Sequence, residues 1–275
     1  MNKKRNIIII IILLLSVGLI FYFSTDWIKN RQEAIELSLK NTKLGEFYLW
    51  SRDYEKAREY FNKALELDQN SAQAYDGLGQ IFLSERNLEK AKECFNKVIK
   101  LDPNNVSAYD NLGWVFIHEE NLEKAREYFN KVLELDPNGA RGYDGLGWVF
   151  IKEENSEEAR EYFSKALELD PQKFSASNGL GWSFFHLGDY KNAKEYFNQT
   201  LKLISNYENL PPGSSRSSYH GLASVYYEEG NYDRAKEMIN KALELSLESK
   251  YVSNEDSLNL DTMYFLKSII EEKIK

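Results

Sequence analysis

The chain has 275 residues, a formal net charge of −8, 28% charged and 14% aromatic residues, and a single cysteine. The acidic balance excludes the clustered Lys and Arg face that nucleic acid requires. One cysteine excludes an internal disulfide framework, and the abundance of Tyr, Phe and Leu excludes a disordered chain.

In chain order, the basic start MNKKR leads into an apolar run, Ile7 to Phe23, interrupted only by Ser16 and Gly18. A helix of this length just crosses a hydrocarbon core. No A-x-A-like site and no cysteine follows, so residues 1–25 read as a retained signal anchor rather than a cleaved signal peptide or a lipoprotein anchor. Tyr22 and Trp27 suit the membrane interface. Lys3, Lys4 and Arg5 outweigh the diluted Lys29 and Arg31. The positive-inside rule then leaves the N-terminus cytoplasmic and the rest extracytoplasmic. Repeats on the cytosolic side, or secretion after cleavage, remain alternatives. Residues 26–37 lack Pro and Gly and extend the anchor as a helical linker.

From residue 38 a unit of about 34 residues recurs. It carries Leu78-Gly79, Leu112-Gly113, Leu146-Gly147 and Leu180-Gly181, with looser copies at Leu44-Gly45 and Leu222-Ala223. Tyr75, Tyr109 and Tyr143 precede the glycine by four positions; Phe82, Phe116, Phe150 and Phe184 follow it by three. Twelve positions after it stand Ala57, Ala91, Ala125, Ala159, Ala193 and Ala235, and Asp-Pro pairs close three units at Pro103, Pro137 and Pro171. The units are 38–71, 72–105, 106–139, 140–173, 174–207 and 216–249. Each reads as two helices. The second is predicted to start at Asp53, Asn87, Asn121, Asn155, Asp189 or Asn231, all good N-caps. Pairs such as Glu59/Lys63, Glu93/Lys97, Glu127/Lys131, Glu161/Lys165 and Glu237/Lys241 mark solvated faces. A loop containing Pro-Pro-Gly-Ser-Ser breaks the period at 206–215. Residues 250–275, with Leu258, Phe265, Leu266, Ile269 and Ile270 at helical spacing, predict a capping helix.

The spacing W/Y-x2-L-G-x2-Y/F, then Ala, Phe and Pro, resembles the tetratricopeptide (TPR) repeat. The resemblance implies an all-α protein: a right-handed TPR superhelix, an α-solenoid of about six helix-turn-helix repeats, here preceded by one transmembrane helix. It further implies that the first helix of each repeat lines a concave groove that binds a partner.

On a helical wheel, Tyr, Leu and Phe of the first helices share one face. A second face collects Asp76, Asp110 and Asp144; Trp114, Trp148 and Trp182; Leu83, Ile117, Ile151, Phe185 and Tyr227; and His118, Lys152 and His186. Read as the groove, these residues predict an aromatic ladder with an acidic edge. The partner is then an extended or helical protein segment that is not acidic, held by a membrane-tethered scaffold. A glycan held by a cell-envelope assembly factor is the alternative, because Trp faces beside Asp acceptors also suit sugars. The stripe can equally pack between adjacent first helices. The family's carboxylate clamp places lysine three residues before the glycine; Thr42, Asp76, Asp110, Asp144, Asn178 and His220 stand there, so chaperone-tail binding is rejected.

No P-loop, dinucleotide fingerprint or nucleophile elbow is present. His118, His186 and His220 have no metal-ligand context. The sequence predicts no catalytic residue, cofactor or metal, and Cys94 reads as a packing residue. Asn105 and Asn198 match the glycosylation sequon.

Overall fold

The structure is a computed structural model that describes residues 27–206, 215–248 and 254–274. The anchor at 7–23 and the core of the 206–215 loop lie outside the described residues. Among those described, no helix is long and apolar enough to cross a membrane. Every element is a helix: α1 (27–50), α2 (Tyr54–Leu67), α3 (Ala72–Ser84), α4 (Leu88–Leu101), α5 (Val106–His118), α6 (Leu122–Leu135), α7 (Ala140–Lys152), α8 (Ser156–Leu169), α9 (Phe174–His186), α10 (Tyr190–Ser205), α11 (Arg216–Glu228), α12 (Tyr232–Glu248) and α13 (Asn254–Ile274). The chain divides into two compact units, Met1–Ile81 and Phe82–Lys275.

The helix pairs follow from local chemistry. Within each pair the first helix ends in a Schellman-type turn: Glu120 N–H donates to Ile117 O (3.0 Å) and Asn121 N–H to Phe116 O (2.9 Å). The turn requires left-handed backbone at the residue after the cap. Gly188 and Gly230 supply it, but Arg52, Arg86, Glu120 and Glu154 adopt it with φ between 57° and 61°, a geometry disfavoured for side chains other than Gly, Asn and Asp. The next residue is already the N-cap of the second helix. Asp53, Asn87, Asn121, Asp189 and Asn231 each accept a bond from the backbone N–H three residues on. Asn155 makes no such bond; its φ is −97°, against −82° to −88° at Asp53, Asn87, Asn121 and Asp189.

In the first unit, α1 continues without a break through residues 37 and 38. Ser38 Oγ donates to Ala64 O across to α2 (2.9 Å), and Arg31 pairs with Asp68 (3.0 Å). The buried Phe61 ring lies between Gly45 of α1 and Gly77 of α3, each so close that a β-carbon there would overlap the ring.

The second unit repeats that arrangement. Phe129 fits between Gly113 and Gly145, Phe163 between Gly147 and Gly179, and Phe197 between Gly181 and Gly221. Each second-helix Phe thus locks its own first helix to the next one. Ala91, Ala125, Ala159, Ala193 and Ala235 are fully buried at helix crossings. Among the described residues of this unit, first helices touch one another in series, α5 to α7, α7 to α9, α9 to α11 and α11 to α13, whereas no pair of second helices packs comparably. In this unit the first helices therefore form the inner wall. The wall ends at α13, which buries Met263 and Ile270 against Ala223, Ile239, Ala242 and Leu243. Phe265, one of the apolar residues at helical spacing in the predicted capping helix, is exposed because it lies about 200° from Met263 on the helix.

The surface ion pairs hold only partly to the predicted spacing. Lys63 meets Glu59 and Lys241 meets Glu237, but Lys131 and Lys165 turn to Glu134 and Glu168 three residues on. Exposed pairs differ too little in energy to enforce one choice.

Candidate groove site

The inner wall of the second unit carries the tryptophans. Trp114, Trp148 and Trp182 are half-buried and meet Phe129, Phe163 and Phe197 edge-to-face at 5.6, 5.4 and 5.4 Å. Two of the indoles also bind the neighbouring first helix. Trp148 Nε1 donates to Ser175 Oγ (3.1 Å) and Trp182 Nε1 to Ser217 Oγ (3.0 Å). The indoles are therefore part packing and part surface, and each is held rigid by a ring and, for Trp148 and Trp182, a hydrogen bond.

Between these helices lies a seam of polar groups. Asn178 Nδ2 donates to Ser217 Oγ (2.9 Å) and accepts from Ser218 Oγ at its Oδ1 (3.0 Å). Asp144 occupies the equivalent position one helix earlier and is 2% exposed. Its Oδ2 lies 3.6 Å from Lys173 Nζ. Oδ1 of Asp144 and Oδ1 of Asp110 are buried without a hydrogen-bond partner among the described residues. Burial pushes the Asp144 carboxyl up to about 6, with the Lys173 charge and a Ser175 hydrogen bond opposing and the Asp110 charge adding. Burial likewise raises Asp110, against the pull of Lys173 and Arg141. His220 is pushed down to about 4 by burial and by Arg216.

The wall encloses a cavity of about 620 Å³. Its apolar lining is Trp114, Ile117, Trp148, Ile151, Trp182 and Met263; its charged lining is Arg86, Glu120, Lys152 and Arg216. His118, Ser175, Asn178, Ser217, His220 and Thr262 supply hydrogen-bonding groups.

Tetratricopeptide repeat models match residues 35–104, 77–140, 140–173 and 172–248. The chain is a tetratricopeptide repeat protein. No curated protein matches it. Among solved structures this TPR chain is similar to one in the APC/C hetero-tetramer Cut9-Hcn1 (TM-score 0.70, 20% identity, 86% of this chain), of which it spans 43%. It is also similar to PilF of Pseudomonas aeruginosa (TM-score 0.58, 23% identity, 84% of this chain and 99% of that one). A third match is PilW, described as a widely conserved type IV pilus biogenesis factor (TM-score 0.61, 21% identity, 81% and 98%). At these identities the likeness is one of fold. TPR domains are protein-binding scaffolds and are typically non-enzymatic.

Of the residues assigned to the TPR groove from sequence, the structure brings Trp114, Trp148, Trp182, Ile117, Ile151, His118 and Lys152 to one cavity. Phe185 packs instead around Phe197 and Leu222, and Tyr227 against the α12–α13 cluster. His186 is exposed, stacked on Trp182 (6.0 Å). Asp76 accepts from Gln80 Nε2 (2.7 Å) within the first unit. The expected acidic edge is corrected: Asp144 and the Oδ1 of Asp110 are withdrawn into the seams between first helices, and neither residue lines the cavity. Sequence reasoning missed Ser175, Ser217 and Arg216. They sit six or seven residues before the repeat glycine position, and extending the same wheel N-terminally places them on the tryptophan face. Arg86 and Glu120 were missed because nothing in their identity marks a left-handed turn.

Elsewhere, Cys94 is buried, which pushes its thiol up to about 11. Asn105 caps α5 (Oδ1 accepting from Ala108 N–H, 3.0 Å), and Asn198 Nδ2 donates to Lys194 O within α10. Asn105 thus stands in the turn between α4 and α5, and Asn198 within α10. Among the described residues no three His, Cys, Asp or Glu side chains cluster to hold a metal.

Proposed function

We propose that this TPR protein is a membrane-tethered scaffold that holds a peptide segment of a partner protein in the cavity of its second unit. The cavity carries the reading: three tryptophans on successive first helices converge with Ile117, Ile151 and Met263 on one concavity rimmed by polar groups, the anatomy of a small recognition site. The glycan alternative relied on aspartate acceptors beside open indoles. With Asp144 buried and the Trp148 and Trp182 N–H groups engaged by serines, a peptide suits the lining better.

A photoreactive residue in place of Ile151 should cross-link one protein species in cells, while the same residue in place of exposed Glu161 on α8 should not. Equal labelling at both positions, or glycan adducts at Ile151, would overturn the reading. The tether rests on the apolar run at 7–23 and the basic residues before it. Protease added to intact cells should digest the repeats; their full protection would reverse the topology, and a mature chain starting near residue 25 would remove the anchor.

A further inference from the structure

The surface of α1 is unlike that of the helices after it. Ten large apolar side chains stand exposed among the described residues, and seven of them are on α1; the other three are on α13, and none is on α2 to α12. Five of the seven, Ile28, Ile35, Leu39, Phe47 and Trp50, fall within an arc of about 120° when the helix is turned 100° per residue. Ser38, Thr42 and Gly45 lie outside that arc and are buried, Ser38 bonded to Ala64 O and Gly45 closed by the Phe61 ring of α2. The face that receives the preceding repeat in other first helices is also changed. Two residues before the repeat position stand Gly77, Gly145, Gly179 and Gly221, each met by the phenylalanine of the repeat before, with Asn111 the departure; α1 has Lys43 there. Two residues after it Ile81, Val115, Val149, Ser183 and Val225 are fully buried, whereas Phe47 is 58% exposed. α1 thus lacks the glycine socket by which repeats stack, and a second copy has no such way to join it.

We propose that α1 lies along the membrane surface, with Ile28, Ile35, Leu39, Phe47 and Trp50 set among the lipid headgroups. This rests on the tether of the reading above and adds how the first unit is laid against the bilayer. Only Ser24, Thr25 and Asp26 stand between the apolar run, which ends at Phe23, and the start of α1. Four residue steps span at most about 14 Å, so α1 begins at the headgroup layer. A helix standing upright there would carry Trp50 about 35 Å further out and leave the apolar arc in water. Laid flat, the same helix covers the arc with lipid. Apolar and aromatic side chains on one face with lysines at its edge are the composition of helices that lie in the interface plane, and tryptophan rings favour that level. Lys29, Lys40 and Lys43 gather around Phe47 at one edge of the arc, where their stems can lie on apolar surface while the ammonium groups reach phosphate. Gln32, Glu36 and Glu46 also fall within the arc, which sets its depth at the headgroups rather than in the hydrocarbon. None of these residues lines the cavity of the second unit, so the surface is distinct from the peptide site.

The test uses the full chain with Cys94→Ser, reconstituted in vesicles of phosphatidylcholine and phosphatidylglycerol. One fluorophore is attached through Trp27→Cys, Phe47→Cys or, on exposed α8 surface, Glu161→Cys. Nitroxide carried on the lipid headgroup should quench positions 27 and 47 at least about threefold more than position 161. Adding Ile35→Glu and Leu39→Glu should cut the quenching at position 47 at least about twofold, with that at position 27 and the melting temperature unchanged. Undiminished quenching in that variant would overturn the role of the apolar arc. Quenching at position 27 with position 47 no different from 161 would overturn the proposal and leave the tether standing. A chain that does not stay with the vesicles, or none of the three positions quenched, would overturn both. A label at position 47 shielded from a water-soluble quencher yet untouched by the nitroxide lipid, with Phe47→Cys chains cross-linking to each other, would put a second copy on the arc in place of lipid and overturn the proposal.

Discussion

The Phe129 ring occupies the space in which Gly145 would carry a side chain: a β-carbon built on Gly145 meets ring atoms at 2.3 Å. Phe129 is fully buried and bounded on its other side by Gly113, at 2.6 Å by the same measure. The ring cannot move away, so Gly145→Ala should cost about 1–3 kcal/mol by overpacking. Urea midpoints of the variant and the parent check this.

Ala125 is fully buried at the crossing of α6 with its neighbours, whereas the Lys131 ammonium reaches only Glu134 on the surface. Ala125→Leu should cost about 1–3 kcal/mol. Lys131→Ala should stay within about 0.5 kcal/mol. Equal melting shifts for the two would mean that the buried face is misassigned.

Asp144 predicts an unusual pH response. Its folded pKa, about 6, lies above the ordinary 3.8. Above pH 6 the carboxylate is charged in both folded and unfolded chains, and the folded state bears the cost of burying it. As the pH falls from about 6 to 3.8 the folded chain takes up the proton first, so this group's contribution to stability rises, and it levels off below 3.8. Asp144→Asn should remove that slope. Parent minus variant, measured by urea unfolding at pH 5 and pH 8, should differ by roughly 1–3 kcal/mol. A difference that does not change with pH would show that the carboxyl is already satisfied.

Glu154 stands at φ 60° on the exposed surface, where Gly188 and Gly230 stand in later turns. Glu154→Gly should therefore stabilise the second unit by roughly 0.5–1 kcal/mol, the relief of left-handed strain less the added chain entropy of glycine.

Trp148 has two roles, so its truncation is read through two measurements. Trp148→Ala removes the contact with Phe163 and the bond to Ser175 and should cost roughly 2–4 kcal/mol. Trp148→Phe keeps an aromatic body and loses the bond, at about 1 kcal/mol. Peptide affinity should fall further with Ala than with Phe when both are measured on folded protein. Identical affinity in both and in the parent would place Trp148 in the core alone.

The repeat register was legible because small residues recur where helices touch: Gly113, Gly147, Ala125 and Ala159 announce the crossings without any structure. The partner glycines Gly77, Gly145, Gly179 and Gly221, two residues before the repeat position, recur just as plainly, with Asn111 the departure in α5. They were not read as the second half of a phenylalanine socket because that socket belongs to a different repeat. The site was legible in its apolar half. Its charges were not, because a helical wheel gives the direction in which Asp144 points but not the width of the seam to α9 that swallows it.

The phenylalanine sockets carry a consequence for how such a chain can change length. Each of Phe61, Phe129, Phe163 and Phe197 is shared between one repeat and the next, so any cut made at a repeat boundary severs a socket. An excision of one full period, residues 106–139 for instance, rejoins matching halves and presents Phe95 with Gly145 where Asn111 now stands. Excisions of other lengths inside the helices set glycine against the wrong partner. Extra residues are harmless only where they bypass both halves, as at 207–214, across which Phe197 still meets Gly181 and Gly221. Heritable gain and loss of material in this protein is therefore quantised by the packing of one ring.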